Sequence, residues 1–115
     1  MKKIWDYWEE LAKKYLEKHW YKIIEQNYKY SRVWEIDIIA KLDDIYIFVE
    51  VKFRKNNNYW WWEWAITDKK KEKIYLSIMN YITENNIDEE NIKFDIIVIN
   101  NEDKKLIHYK NQALN

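Results

Sequence analysis

Among its 115 residues the chain has no cysteine, no proline and no glycine. The missing thiols exclude a disulfide framework and any thiolate metal site. No apolar run approaches the ~18 residues a membrane span needs, and no stretch combines a charged start, an apolar middle and a small-residue end. A soluble, cytoplasmic protein without a membrane partner is therefore expected. The absent glycine is harder to place. Average usage near 7% would supply about eight in a chain this long, and this one has none, with eight tryptophans instead.

Charge of one sign is also lacking in sum: 20 Lys and Arg balance 20 Asp and Glu. A net charge of zero argues against a nucleic-acid binder only if the charges are evenly spread, and they are not. From Lys52 to Lys73, seven basic residues stand against three acids, a balance of +4; from Glu84 to Asp103, seven acids stand against one lysine, a balance of −6. A local basic patch can hold phosphates whatever the global sum, with Arg54, Lys70 and Lys73 as its nucleic-acid-binding candidates. Lysines at a helix start oppose the macrodipole, so Lys69 to Lys73 are costly there as mere solvation. Any one of them also suits a solvated first turn.

At this length a single domain spanning residues 1–115 is expected, with one core and modest stability. Trp8, Leu11, Ala12, Tyr15 and Leu16 repeat at helical spacing and predict an amphipathic helix over about Trp5 to His19. Tyr21 to Tyr30, Val33 to Leu42 and Ile45 to Arg54 read as strands, the last two joined by a turn at Asp43-Asp44. Thr67 is a plausible N-cap for a second helix to about Glu84, burying Ile74, Ile78, Tyr81 and Ile82. Ile92 to Ile99 suits a buried strand, and Lys104 to Lys110 a final edge strand. Between the third strand and the second helix, Lys55 to Trp64 reads as a mobile loop suited to covering a substrate. The order α-β-β-β-α-β-β defines an α/β fold with a mixed sheet flanked by helices, the second helix supplying the crossover for parallel pairing.

The chemistry lies in Trp34-Glu35-Ile36-Asp37 and Phe48-Val49-Glu50-Val51-Lys52. Alternation puts Glu35 and Asp37 on one face with Ile36 and Ile38 on the other, and likewise separates Glu50 and Lys52 from Val49 and Val51. With Leu42 opposite Ile45, the register sets Asp37 against Glu50 and Glu35 against Lys52. Directly opposed side chains have Cβ atoms about 4.5–5.5 Å apart, close enough for both carboxylates to hold one divalent cation. A bound Mg²⁺ or Mn²⁺ would relieve their repulsion, and Lys52 beside them is placed to orient an attacking water and to stabilise charge on a phosphate. The same spacing also suits an ordinary amphipathic hairpin with a solvated polar face and a Glu35–Lys52 ion pair of little worth. Glu9 borders the buried stripe of the first helix, where it either faces solvent or reaches the strand-borne acids; Glu10 competes for that role. His19, near the end of the first helix, reads as complementing its dipole rather than binding metal, and His108 likewise reads as no metal ligand.

The sequence of motifs Trp8-Glu9-Glu10-Leu11-Ala12, Tyr15-Leu16, Asn27-Tyr28, Glu35-Ile36-Asp37-Ile38-Ile39, Phe48-Val49-Glu50-Val51-Lys52-Phe53-Arg54, Ala65-Ile66, Lys70 and Phe94-Asp95 resembles the YraN family of endonuclease-like proteins. The match covers nearly the whole chain. That family is similar to archaeal Holliday junction resolvases and restriction endonucleases, and the resemblance implies a restriction endonuclease-like core. Carried onto this chain, it implies Asp37 and Glu50 as metal ligands with the Val51 carbonyl, Lys52 as the catalytic lysine and Glu9 as the helix-borne acid. It also implies Mg²⁺ or Mn²⁺ as cofactor, branched or otherwise structured DNA as substrate, and a possible homodimer, since resolvases cut two strands symmetrically. Glu35, Arg54 and Lys70 fall on motif positions without an assigned role. A noncatalytic nucleic-acid-binding module on the same fold is the alternative.

One departure is systematic: Trp8, Trp20 and Trp34 stand where the family has glycine, as do one or more of Trp60 to Trp62. A source that reads the UGA codon as glycine would leave this signature in a sequence translated with tryptophan there, and the Ile-, Lys-, Asn- and Tyr-rich composition fits an AT-rich genome. The competing expectation is that the tryptophans are genuine and stack on nucleobases.

Overall fold

A computed structural model describes residues 4–30, 32, 34–54 and 67–114. The expected covering loop, with Trp60 to Trp62, lies outside the described residues. Among those described, helix α1 (Ile4–Lys18) leads into strands β1 (Lys22–Tyr30), β2 (Trp34–Leu42) and β3 (Ile45–Arg54); helix α2 (Asp68–Glu84) and a 3₁₀ turn (Glu89–Asn91) precede β4 (Ile92–Asn100) and β5 (Leu106–Tyr109). The sheet runs in chain order from β1 to β5. Only β3 and β4 pair in parallel; the other neighbours are antiparallel. This is the α/β architecture and element order expected from the sequence.

Local chemistry explains the boundaries. Thr67 adopts an extended conformation and its Oγ1 accepts from the Lys70 N–H at 3.2 Å, the N-cap bond that starts α2. Asp43 takes a φ of 54° in the two-residue turn between β2 and β3, and Asp tolerates the left-handed region better than most residues. The turn fixes Leu42 opposite Ile45, as expected, and the ladder continues to Ile38 opposite Val49.

Each helix covers one face of the sheet. Under α1, Trp8, Ala12 and Leu16 pack with Ile38, Ala40, Ile47, Val49, Ile97 and Ile99. Under α2, Ile74, Ile78, Tyr81 and Ile82 pack with Ile36, Ile39, Phe48, Phe94, Ile96 and Val98. Two covered faces correct the expectation that charges gather on one side of the hairpin and aliphatics on the other. The correction is sharpest at Ile36 and Ile38, which enter opposite cores although they lie two residues apart. Strand alternation therefore breaks between them, at Asp37. Asp37 is paired in neither ladder: β1 and β2 pair Gln26 with Ile38 and then Tyr28 with Ile36, skipping Asn27, whose φ is 55°.

Candidate functional site

Where the β2–β3 ladder stops, a pocket of about 320 Å³ opens, lined by Glu9, Glu35, Asp37, Glu50, Val51 and Lys52, with Trp8 and Phe53 as its apolar walls. A larger hollow of about 760 Å³ between α2 and the C-terminal residues has lining such as Tyr75, Ile78, Phe94 and Leu114 and contains none of these groups. The acids converge in the smaller one.

The break in β2 is what aims Asp37. Its Oδ2 accepts the backbone N–H of Val51 at 2.8 Å, so a side chain fills the place a strand carbonyl would take further along the hairpin. Glu50 is 4% exposed, and its Oε1 is buried with no hydrogen-bond partner. Lys52 Nζ stands 3.6 Å from Glu50 Oε2, an ion contact longer than a hydrogen bond. The expected Glu35–Lys52 pair is thus replaced by Glu50–Lys52, because the ladder that would have opposed Glu35 to Lys52 ends first.

Burial and the adjacent Glu50 carboxyl push Asp37 up to about 8, against the opposing pull of the Val51 N–H and the Lys52 ammonium. Burial also raises Glu50, while Lys52 and a hydrogen bond with Asp37 hold it down. Two neighbouring acids thus share a low-dielectric site that disfavours ionising both. Trp34 stands beside them. Its Nε1 is buried without a partner, and its N–H dipole favours the Glu50 carboxylate without closing a bond to Oε1.

Glu9, not Glu10, is the acid that α1 delivers: it is 6% exposed, lines the pocket and accepts a 2.8 Å hydrogen bond from Asn27 Nδ2. Asn27 is a residue whose role was not foreseen. The signal was there, because asparagine is depleted in strands and enriched at positive φ, where this one sits. The basic candidates do not join the pocket. Arg54 is 8% exposed, buried at the end of β3, which takes it off the exposed basic surface. Lys70 is exposed on the first turn of α2. Lys73 is half-buried one turn before Ser77, whose hydroxyl donates to the Lys73 carbonyl at 3.0 Å.

His108 lies in β5, within the strand expected over Lys104 to Lys110, and its side chain is buried, with Nε2 2.7 Å from Asp95 Oδ2 and Nδ1 3.0 Å from the Tyr15 hydroxyl. The second Asp95 oxygen accepts the Asn111 N–H at 2.8 Å. This network ties α1, β4, β5 and the C-terminal segment together, and the aspartate inside the apolar Ile92 to Ile99 run was the cue to look for it.

Among the described residues no three Asp, Glu, His or Cys side chains converge closely enough to cage a metal ion, and no helix is long and apolar enough to cross a membrane. What the fold defines is an α/β domain with a carboxylate pair and a lysine at the fork of its central hairpin. The sequence profile of "Uncharacterised protein family UPF0102" matches residues 8–99. The chain is 37% identical to a UPF0102 protein of Sulfurihydrogenibium sp. (strain YO3AOP1), over 91% of this chain and 89% of that one. It is 39% identical to a UPF0102 protein of Clostridioides difficile (strain 630), over 92% of each, and 37% identical to one of Carboxydothermus hydrogenoformans, over 90% and 89%. The chain belongs to the UPF0102 family, the YraN family that its motifs resemble.

Proposed function

We propose that this protein is a divalent-cation-dependent endonuclease that hydrolyses DNA phosphodiester bonds, on branched or structured DNA during repair or recombination. The observation that carries the reading is the paired, buried Asp37 and Glu50 with Lys52 beside them in an open pocket. The residues fit a cation by their own chemistry: an orphaned buried oxygen on Glu50, and two carboxyls that cannot both ionise without added positive charge. Asp37, Glu50 and the Val51 carbonyl would hold Mg²⁺ or Mn²⁺, and a site with few protein ligands suits Mg²⁺, which keeps several of its waters. Such an ion supplies Lewis acidity and an activated water.

The protein's own groups do the rest. Lys52 carries a fixed positive charge beside the pocket, where it orients a water and stabilises charge on a phosphate oxygen. Asn27 fixes the rotamer of Glu9, so that a third acid faces the same space at no further ordering cost. Water attack that breaks the bond to the 3′ oxygen leaves a 5′-phosphate. Symmetric cutting of a junction needs two copies, so a homodimer belongs to the proposal.

The test is a cleavage assay on linear, single-stranded and four-way DNA with Mg²⁺, with Mn²⁺ and with chelator. Cation-dependent cutting that disappears in Asp37→Asn, Glu50→Gln and Lys52→Ala is the expected result. Cutting that survives all three changes refutes this site. Salt-sensitive binding without cutting favours the noncatalytic module instead.

A further inference from the structure

The end of α1 is closed by paired hydrogen bonds: Tyr21 N–H donates to the Leu16 carbonyl at 3.0 Å and Trp20 N–H to the Glu17 carbonyl at 3.1 Å. This is the Schellman arrangement, whose C′ residue takes a left-handed conformation and is usually glycine, sometimes asparagine. Here the C′ residue is Trp20, with φ 73°. Of the six described residues at positive φ, three are asparagine, one is aspartate and one is lysine; Trp20 is the only aromatic. Little burial offsets the strain, since the indole is 87% exposed.

Two further tryptophans sit badly for another reason. Trp8 and Trp34 each bury an indole Nε1 with no hydrogen-bond partner, and an unsatisfied buried donor is a penalty that native proteins rarely leave standing. Trp8 stacks on Phe53 with ring centroids 4.7 Å apart, and the Trp34 N–H acts on the Glu50 carboxyl and lowers it; Trp20, on the surface, has neither compensation. Set beside a chain with no glycine and eight tryptophans, these observations share one explanation. We infer that Trp8, Trp20 and Trp34 are glycines in the protein as its source makes it, through a UGA codon read as glycine.

Position 34 also lies beside the acidic pocket. A hollow of about 290 Å³ lined by Lys29, Arg32, Trp34 and Glu35 adjoins the acidic pocket, and Glu35 borders both. Glycine at position 34 removes the indole from this boundary and joins the carboxylates to two cations, a groove suited to a phosphodiester strand. That consequence rests on the nuclease reading; the decoding claim does not.

The decisive experiment is mass spectrometry of the protein from its native source, read on the tryptic peptides spanning residues 19–22 and 33–41. Glycine masses at positions 20 and 34 are expected; tryptophan masses overturn the inference. A second measurement uses recombinant protein. Trp20→Gly should raise Tm by about 4–8 °C through relief of the left-handed backbone, and a lowered Tm would contradict the conformational argument. In the chain with glycine at positions 8, 20 and 34, Lys29→Ala with Arg32→Ala should weaken DNA binding and flatten its salt dependence. Unchanged affinity would remove the groove.

Discussion

Two places in this small fold bury acids, and they treat them differently. Asp95 gives one oxygen to His108 and the other to the Asn111 N–H, while the far ring nitrogen of His108 meets Tyr15. Asp37 and Glu50 crowd each other, and Glu50 leaves one oxygen with no hydrogen-bond partner. The first arrangement is closed, and its worth lies in holding four elements together. The second opens to a pocket and leaves a buried oxygen for the cation that the proposed function places there, which is why the chemistry is assigned to it.

The contrast can be broken most forcefully at the open site. Lys52→Ala or Glu50→Gln should lower cation-dependent DNA cleavage by about 10²–10⁴-fold, with the far-UV circular dichroism unchanged. At the closed site the effect should fall on stability. Asp95→Ala strands His108 and the Asn111 N–H, and urea denaturation should show a loss of about 2–4 kcal/mol. If Asp95→Ala were neutral and Glu50→Gln strongly destabilising in chelator, the two roles would have to be exchanged.

The pH dependence sharpens the same comparison. Because Asp37 is raised from 3.8 to about 8, the folded chain keeps a proton that the unfolded chain loses as pH climbs through that window. Linkage then makes the cation-free protein less stable as pH rises from about 4 to 8. Asp37→Asn should remove that slope, and saturating Mg²⁺ should reduce it in the parent chain; chemical denaturation at several pH values reads both. The smallest effect on cleavage belongs to Asn27→Ala, which frees the Glu9 rotamer and should lower cleavage by about tenfold or less, while stability falls by about 1 kcal/mol because alanine lacks asparagine's tolerance of the φ of 55° held there.

Much of this was legible in the sequence because it is local. The Thr67 cap, the Asp43-Asp44 turn, the Leu42–Ile45 register and the buried stripe of α2 follow from residue type and periodicity within a few positions. What was missed depends on contacts across the chain. The alternation rule holds for a regular strand, and it failed at Asp37 because the carboxylate takes a backbone N–H from the neighbouring strand. Tyr15 and His108 meet across 93 positions of sequence, a separation over which no pattern extends. Arg54 likewise meets a segment distant in sequence, its carbonyl accepting the Asn101 N–H at 2.8 Å.

Calorimetric titration with Mn²⁺ at neutral pH, repeated in buffers of different ionisation enthalpy, asks directly whether the carboxyl pair awaits a cation. Binding accompanied by release of about one proton per ion, both lost in Asp37→Asn, is the predicted result. Absence of binding, or binding unchanged by Asp37→Asn, would contradict the assignment of this pocket.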